Sequence, residues 1–192
     1  MLSHHIGFLD DDVGAAAPGV GADDLLANLV GLCLQAQEAT EGLTLNCLAH
    51  HLAGRADGVD LLQFDARSAF VEETDRFDPA IQLTRRIARD GAALRGVPVP
   101  EGATVIVALA AANRDPEANP EPDRFDLYRT ARRSFAFSGG RHACPGRRLA
   151  AAIAEIGFMT ILTRCPGVAE RIALGGYRPS HNARLPSFED FA

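Results

Sequence analysis

Hydrophobic positions recur along the chain at spacings that are typical of helices. From Asp23 to Gly54, leucine, valine and small residues follow helical periodicity over about thirty residues. Asp23 or Asp24 is the expected N-cap. This helix is apolar on much of its circumference, so we expect it to be buried on several sides. A second helix is predicted after Asp65, and it ends before Pro79 because a residue that precedes proline avoids the helical region.

The remaining pattern predicts short strands, a long irregular stretch and a third helix. Residues 80–112 contain short apolar runs separated by turn residues, as expected of strands. Residues 113–143 are rich in Pro, Asp and Arg and show little periodicity, and a stretch of this kind is either functional or a sign that its elements are wrongly assigned. Gly146 to about Arg164 has helical spacing. Residues 175–192 are irregular, with one hairpin at most.

Composition places the chain among ordinary globular proteins. Its 192 residues, 47% of them hydrophobic, are enough for one domain, which we assign to residues 23–192 after a flexible tail at residues 1–22. The apolar run at residues 103–112 is shorter than the roughly 17–25 residues of a membrane helix. The amino terminus is acidic, unlike a secretory signal. Four irregularly spaced cysteines do not form a disulfide pattern, so the expected location is cytoplasmic and no membrane partner is expected.

Charge is distributed unevenly. The net charge of −6 argues against a nucleic-acid partner, which would require a basic face. All 19 basic residues are Arg, as is typical of a GC-rich bacterial genome. Residues 127–154 nevertheless contain no acidic residue. This stretch is either a solvated face or a docking surface. Its arginines are Arg129, Arg132, Arg133, Arg141, Arg147 and Arg148.

The segment with the clearest chemistry runs from Phe137 to Gly146, FSGGRHACPG, and we call it the cysteine loop. Its glycines allow a sharp turn and the close approach of a bulky flat ligand. Cys144 comes directly before the third predicted helix, whose N-terminus carries partial positive charge and favours a thiolate. Neighbouring arginines act in the same direction. Cys165, also followed by Pro-Gly, lacks the upstream residues and is expected to be a plain apolar residue, like Cys33 and Cys47.

The cysteine loop resembles the ligand loop of the cytochrome P-450 superfamily of haem-thiolate monooxygenases. The family pattern fixes five positions, and all five are present. The resemblance implies haem b (iron protoporphyrin IX) as cofactor and Cys144 as its axial thiolate and metal ligand. It also implies that Phe137 packs beside the sulfur and that His142 binds a haem propionate. Gly140 and Gly146 would hold the turn.

Two further sets of residues extend the resemblance. Glu73 and Arg76 match the family's Glu-x-x-Arg on a helix, with Glu72 as a competitor for the same cation. Arg124, in a Pro-x-Arg-Phe stretch, would complete a structural triad that fixes residues 113–143. Arg86 lies where related bacterial enzymes bind a propionate, with Arg85 as its rival.

The first predicted helix resembles the family's oxygen-activation helix, with one departure. Glu38 matches the family's acid and is expected to supply protons. The following position, a Thr in the family, is Ala39. Thr40 comes one residue later, about 100° around the helix, so it does not simply replace that hydroxyl. Glu38 and Thr40 are the expected catalytic residues, and a substrate hydroxyl or ordered water is an alternative to the missing Thr.

The resemblance predicts a mainly helical fold with small β-sheets (α+β), corresponding to the carboxy-terminal half of the P-450 fold. The expected function is monooxygenation of a small hydrophobic substrate with dioxygen and two electrons, or the haem-binding half of such an enzyme. An acidic ferredoxin-type carrier and an amino-terminal half from elsewhere are the expected partners. The alternatives are a truncated remnant that binds haem weakly or not at all and, more remotely, a Cys/His metal site.

Overall fold

The structure, a computed structural model, describes residues 19–190, apart from the side chains of Arg141 and Ala169. Most of the expected tail, residues 1–18, lies outside the described residues. In chain order the elements are α1 (Ala22–Leu52), α2 (Phe64–Phe77), β1 (Leu83–Ile87), β2 (Ala93–Leu94), β3 (Val97–Pro98), β4 (Thr104–Ala108), α3 (Leu109–Asn113), a 3-10 turn (Gly140–His142), α4 (Arg147–Arg164), α5 (Val168–Arg171), β5 (Ile172–Arg178) and β6 (Leu185–Asp190).

All three predicted helices are present close to their predicted limits. The described residues divide into two compact units, and the division falls within α1, between Gln37 and Glu38. In the first unit, Leu26, Val30 and Leu34 on α1 are each at least half exposed. This part of α1 therefore leaves apolar side chains accessible among the described residues. In the second unit the rest of α1 is largely buried.

The core of the second unit lies where α1, α2 and α4 meet. Cys47 of α1, Phe70 of α2 and Phe158 of α4 are fully buried. The Phe70 and Phe158 rings stack with their centroids 5.4 Å apart. Phe125, from the irregular segment, packs against Phe70 at a centroid distance of 5.5 Å. The same aromatic cluster thus joins the helices to the segment that precedes the cysteine loop.

A glycine sets how closely α1 approaches the carboxy-terminal part of the chain. A Cβ at Gly42 would lie 2.9 Å from the Ala80 Cβ and 3.1 Å from the Arg184 carbonyl oxygen. Real Cβ atoms do not approach other atoms so closely, so a side chain at this position would push the elements apart. The Arg184 N–H in turn donates to the Ala80 carbonyl at 2.7 Å, which fixes the end of the hairpin beside α1.

The strands form three two-stranded antiparallel sheets, β1–β4, β2–β3 and β5–β6. The short strands predicted within residues 80–112 are present as β1 to β4, but the last of them ends at Ala108 and α3 follows. The carboxy-terminal hairpin is more regular than expected, with a register shift between Leu174 and Gly176 as its one irregularity. Residues 114–143 contain no strand or α-helix, in keeping with the predicted irregular stretch. The described residues include no helix with the length and apolar character needed to cross a membrane.

One side of α4 is apolar and exposed while the other is buried. Leu149, Ile153 and Ile156 are 43–66% exposed, whereas Ala154 and Phe158 on the opposite side are fully buried. The spacing of the exposed residues places them along a single stripe of the helix. An apolar stripe of this kind favours self-association.

Two substitutions on α4 separate the buried side from the exposed one. Phe158→Ala removes a buried ring and is expected to lower the free energy of unfolding by about 3–5 kcal/mol. Ile156→Ala, at a side chain that is 61% exposed, is expected to leave the stability nearly unchanged and to reduce binding of a hydrophobic dye. Urea denaturation and dye fluorescence measure the two effects. Equal destabilisation by both substitutions would contradict the assignment of the two sides.

Candidate functional site

The cysteine loop is a hydrogen-bonded turn that begins α4. The Cys144 N–H donates to the Phe137 carbonyl at 2.8 Å, which closes the loop. The Ala143 N–H donates to the Gly140 carbonyl at 3.1 Å. Ser138 and Gly140 both have positive φ, 58° and 63°, so the chain reverses within three residues. Pro145 and Gly146, the N-cap, then connect the cysteine to α4, which begins at Arg147.

The residues of the loop fit a large flat ligand such as haem. Cys144 is an exposed free thiol and offers a sulfur donor. A Cβ at Gly140 would meet no atom within 4 Å, and one at Gly146 would meet the Cys144 Sγ at 3.8 Å. The surface around the sulfur is therefore open on the glycine side. The Arg147 guanidinium lies 5.7 Å from the centre of the half-buried Phe137 ring and adds positive charge next to the loop.

The other predicted ligand and catalytic residues occupy separate elements. His142 is exposed in the 3-10 turn. Arg86 on β1 is exposed, and its Nη1 donates to the Thr84 hydroxyl at 2.6 Å and to the Arg85 carbonyl at 2.8 Å. Glu38 is exposed on α1 and Thr40 is half-buried there. Among residues 19–190, no three His, Cys, Asp or Glu side chains group as metal ligands.

The Glu73–Arg76 pair on α2 is fully buried. Arg76 Nη2 and Nε donate to the two Glu73 carboxylate oxygens at 2.8 and 3.0 Å. The remaining donors of Arg76 bind backbone carbonyls of the irregular segment, at Pro122 (2.9 Å), Arg124 (3.0 Å) and Asn113 (3.4 Å). One buried guanidinium thus fixes three points of a segment that has no regular secondary structure of its own.

The predicted third member of the triad requires a correction. The Arg124 side chain is 61% exposed and pairs with Glu121 and Asp126, and only its carbonyl reaches Arg76. Glu73 instead receives Arg132 Nε at 3.0 Å and Arg129 Nε at 3.4 Å. Sequence position alone favoured Arg124, whereas a buried carboxylate selects the guanidinium groups that are themselves shielded from water.

Several groups compete to set the protonation of Glu73. Burial alone would raise the pKa of its carboxyl group, but hydrogen bonds from Arg76, from the Asp126 N–H and from Arg132 hold that pKa below its ordinary value of 4.5. A depressed carboxyl pKa contributes stability above the unfolded-state value, and this contribution is lost as the pH falls. The network therefore weakens below about pH 4.5.

Two buried asparagines of the irregular segment were missed in the sequence. Asn113 donates to the Asp75 carbonyl at 3.2 Å and accepts the Phe135 N–H at 2.7 Å. Asn119 donates to the Arg133 carbonyl at 2.9 Å and accepts the N–H of the same residue at 2.8 Å. Both amides are fully buried and replace the hydrogen bonds that a strand would provide. Their polarity indicated a loop and gave no sign of burial.

The basic stretch at residues 127–154 is divided between the interior and the surface. Arg129 and Arg132 are mostly buried and bind Glu73, so they are not part of an open basic face. Arg133, Arg147 and Arg148 are exposed. The expectation that Arg132 belongs to the docking face is therefore wrong, because its side chain is mostly buried and paired with Glu72 and Glu73.

Comparison with known proteins points to one family. The family model described as Cytochrome P450 matches residues 61–166. The chain is 48% identical over 99 residues to a putative cytochrome P450 140 of Mycobacterium tuberculosis, covering 51% of the chain and 23% of that protein. It is 34% identical over 171 residues to the 6-deoxyerythronolide B hydroxylase of Saccharopolyspora erythraea, covering 88% of the chain and 41% of that protein.

A solved structure shows the same relation. The crystal structure of P450BioI in complex with an acyl carrier protein that carries hexadec-9Z-enoic acid superimposes with a TM-score of 0.73 at 29% identity. The match covers 92% of the chain and 46% of P450BioI. The chain thus spans less than half the length of each of these relatives.

The corrected pairing of Glu73 is tested by two arginine substitutions. Arg132→Gln leaves the buried carboxylate with one cation fewer and is expected to lower the free energy of unfolding by about 2–3 kcal/mol. Arg124→Gln is the matched control, and it is expected to cost less than about 1 kcal/mol because its ion pairs are exposed. Urea denaturation at pH 7 measures both values. A larger loss for Arg124→Gln would restore the triad predicted from the sequence.

Proposed function

The chain belongs to the cytochrome P450 family of haem monooxygenases, and on this premise we propose that it forms the haem-binding part of a haem-thiolate monooxygenase. The observation that carries the proposal is the exposed Cys144 thiol, held in a glycine turn at the beginning of α4. The five positions of the ligand-loop pattern supply the sulfur, the turn and the aromatic neighbour that a haem-thiolate site requires.

Haem, when bound, supplies reduction and cleavage of dioxygen and transfer of one oxygen atom to an organic substrate. Cys144 would hold the haem iron through its thiolate sulfur, beside the beginning of α4 at Arg147. Gly140 and Gly146 leave the approach to the sulfur free of side chains. Phe137 would pack against the haem near the sulfur.

Two cations away from the sulfur are suited to the acidic edge of the haem. His142 and Arg86 are exposed, and each presents donors that bind carboxylates. We assign them to the propionates. The Arg85 carbonyl accepts a hydrogen bond from Arg86 Nη1, and the exposed Arg85 side chain is the alternative ligand.

The oxygen side of the site is assigned to α1. Glu38 delivers protons from solvent, to which it is exposed. Ala39 provides no hydroxyl at the position that follows this acid, and the Thr40 side chain leaves the helix about 100° away. A hydroxyl group of the substrate or an ordered water therefore supplies the missing hydrogen bond at the oxygen.

The substrate and the rest of the binding pocket belong to the part of the family's fold that the chain does not span. The relatives are more than twice as long as the matched regions. We propose a small hydrophobic substrate, in keeping with the family's chemistry. We also propose that an amino-terminal half, supplied by a longer chain or by a separate polypeptide, covers the opposite side of the haem.

Electron supply is assigned to an acidic ferredoxin-type carrier. The exposed Arg133, Arg147 and Arg148 flank the cysteine loop on both sides. Three positive charges beside the haem ligand attract an acidic protein and raise its association rate at low salt.

Substitution of single cysteines tests the ligand assignment. The haem-loaded, reduced protein in carbon monoxide is expected to show the strongly red-shifted Soret band of thiolate ligation. Cys144→Ala removes the sulfur donor and is expected to abolish that band. Cys165→Ala is the matched control, because it alters an exposed thiol that is also followed by Pro-Gly.

Two outcomes of that experiment would count against the proposal. Retention of the red-shifted band in Cys144→Ala would exclude Cys144 as the ligand. Failure of the unsubstituted chain to take up haem at all, with its fold intact by circular dichroism, would favour the non-catalytic remnant.

The carrier assignment is tested by charge reversal. Arg147→Glu/Arg148→Glu is expected to slow association of a [2Fe–2S] ferredoxin with the haem-loaded protein at least tenfold at low salt, and to flatten the salt dependence of the rate. Arg164→Glu/Arg171→Glu changes the net charge equally at exposed positions elsewhere. Stopped-flow measurement over a range of ionic strength gives both rates. Equal slopes for the two variants would leave the arginines at the loop as an ordinary solvated surface.

A further inference from the structure

Asp75 is a buried carboxyl group that takes no part in the Glu73–Arg76 network. It lies on α2 and is only 6% exposed. Its side chain lines a small cavity together with Ser134, Phe137 and Arg147. Leu43 of α1 closes the cavity on the core side. The cavity therefore lies directly beneath the two ends of the cysteine loop.

Two contacts of Asp75 lead to the residues that flank the loop. Ser134 lines the cavity beside Asp75, and hydrogen bonding by its hydroxyl lowers the pKa of the Asp75 carboxyl group. The same hydroxyl accepts the Ala136 N–H at 3.3 Å, immediately before Phe137. Arg147, the first residue of α4, attracts Asp75 electrostatically. Its guanidinium also lies 5.7 Å from the centre of the Phe137 ring.

The other ionisable groups around Asp75 do not compete for this role. Arg132 faces the same cavity but is paired with Glu72 and Glu73. Glu72, on the same helix, repels a charge on Asp75. Cys47 of α1 is neutral, because burial foremost raises the pKa of its thiol to about 12. Arg147 is thus the cation left to balance Asp75.

We propose that Asp75 is a positioning residue for the cysteine loop, whose ionised carboxylate ties Ser134 and Arg147, on either side of the loop, to α2. The contacts run from α2 to both ends of the loop without passing through the sulfur. This inference goes beyond the proposed function, since it concerns the loop itself and is tested in the protein without haem.

The tie becomes stronger as the pH rises, whereas the contribution of Asp75 to the stability of the whole protein becomes smaller. Burial is the largest influence and raises the pKa of Asp75 from 3.8 to about 6, against the opposing effects of Ser134 and Arg147. An acid whose pKa is raised by folding makes the protein less stable as the pH rises from the unfolded-state value to the folded-state value. The ionised carboxylate that ties the loop exists above that window. The contribution of Asp75 to global stability therefore falls while the loop becomes more tightly held.

Amide hydrogen exchange of the full chain, read by mass spectrometry over residues 137–144, tests the tie. At pH 7.5, Asp75→Asn is expected to exchange about tenfold faster in this segment than the unsubstituted protein, as for the loss of one charge-assisted hydrogen bond. At pH 5, where Asp75 is protonated, the two proteins are expected to exchange equally. The urea midpoint of Asp75→Asn relative to that of the unsubstituted protein is expected to rise from pH 3.8 to about pH 6.

An arginine pair provides the second variant and its control. Arg147→Gln alters an exposed side chain, so it leaves the core intact and decides the question even where Asp75→Asn does not fold. It is expected to increase exchange of the loop at pH 7.5 by a similar factor. The double variant Asp75→Asn/Arg147→Gln is expected to show no further increase. Arg148→Gln, next to it and outside the cavity, is expected to leave the exchange of the loop unchanged.

Three results would overturn the inference. The first is equal exchange of residues 137–144 in Asp75→Asn and the unsubstituted protein at pH 7.5. The second is faster exchange that extends equally over α1 and α4, because that would be general destabilisation. The third is an equal effect of Arg148→Gln and Arg147→Gln, which would assign the effect to net charge.

Discussion

The buried ion pair of Glu73 and Arg76 is the contact on which the position of the cysteine loop depends. The segment at residues 113–143 has almost no regular secondary structure, so its backbone must find hydrogen-bond partners elsewhere. Arg76 binds three of its carbonyl groups and Glu73 accepts one of its N–H groups. Removal of one member would leave a buried charge without its partner, at a cost of about 3–5 kcal/mol. The path of the chain from α3 to the loop therefore follows from one pair of side chains on α2.

Arginine is used in this protein for its geometry as well as its charge. Arg76, Arg129 and Arg132 each bind a carboxylate and one or more backbone carbonyls at the same time. A lysine ammonium is a compact point charge and does not present donors in this planar, forked arrangement. The sequence contains no lysine. The buried network uses the forked donors of arginine, which lysine could not provide. The same residue type supplies the exposed charges at Arg147 and Arg148.

Sequence patterns predicted the secondary-structure elements better than the side-chain contacts between those elements. Helical periodicity located α1, α2 and α4 because each has a continuous buried side in the second unit. The Glu73–Arg76 pair was also predicted, since its spacing on one helix face is fixed by local geometry. The choice of Arg129 and Arg132 over Arg124 was not, because it depends on which turn of an aperiodic segment reaches the core. The burial of Asp75 was missed for a related reason, since an aspartate on a helix is ordinarily a solvated residue.

The hydrogen bond that closes the cysteine loop has an energetic consequence for ligand binding. A cysteine in a disordered segment would lose backbone freedom when it binds a metal centre, and that entropy would be subtracted from the affinity. In this structure the Cys144 N–H is already bound to the Phe137 carbonyl, and the left-handed residues Ser138 and Gly140 have already turned the chain. The loop is therefore pre-organised. The entropy of ordering the loop is lost during folding, so it is not subtracted from the free energy of iron binding by the sulfur.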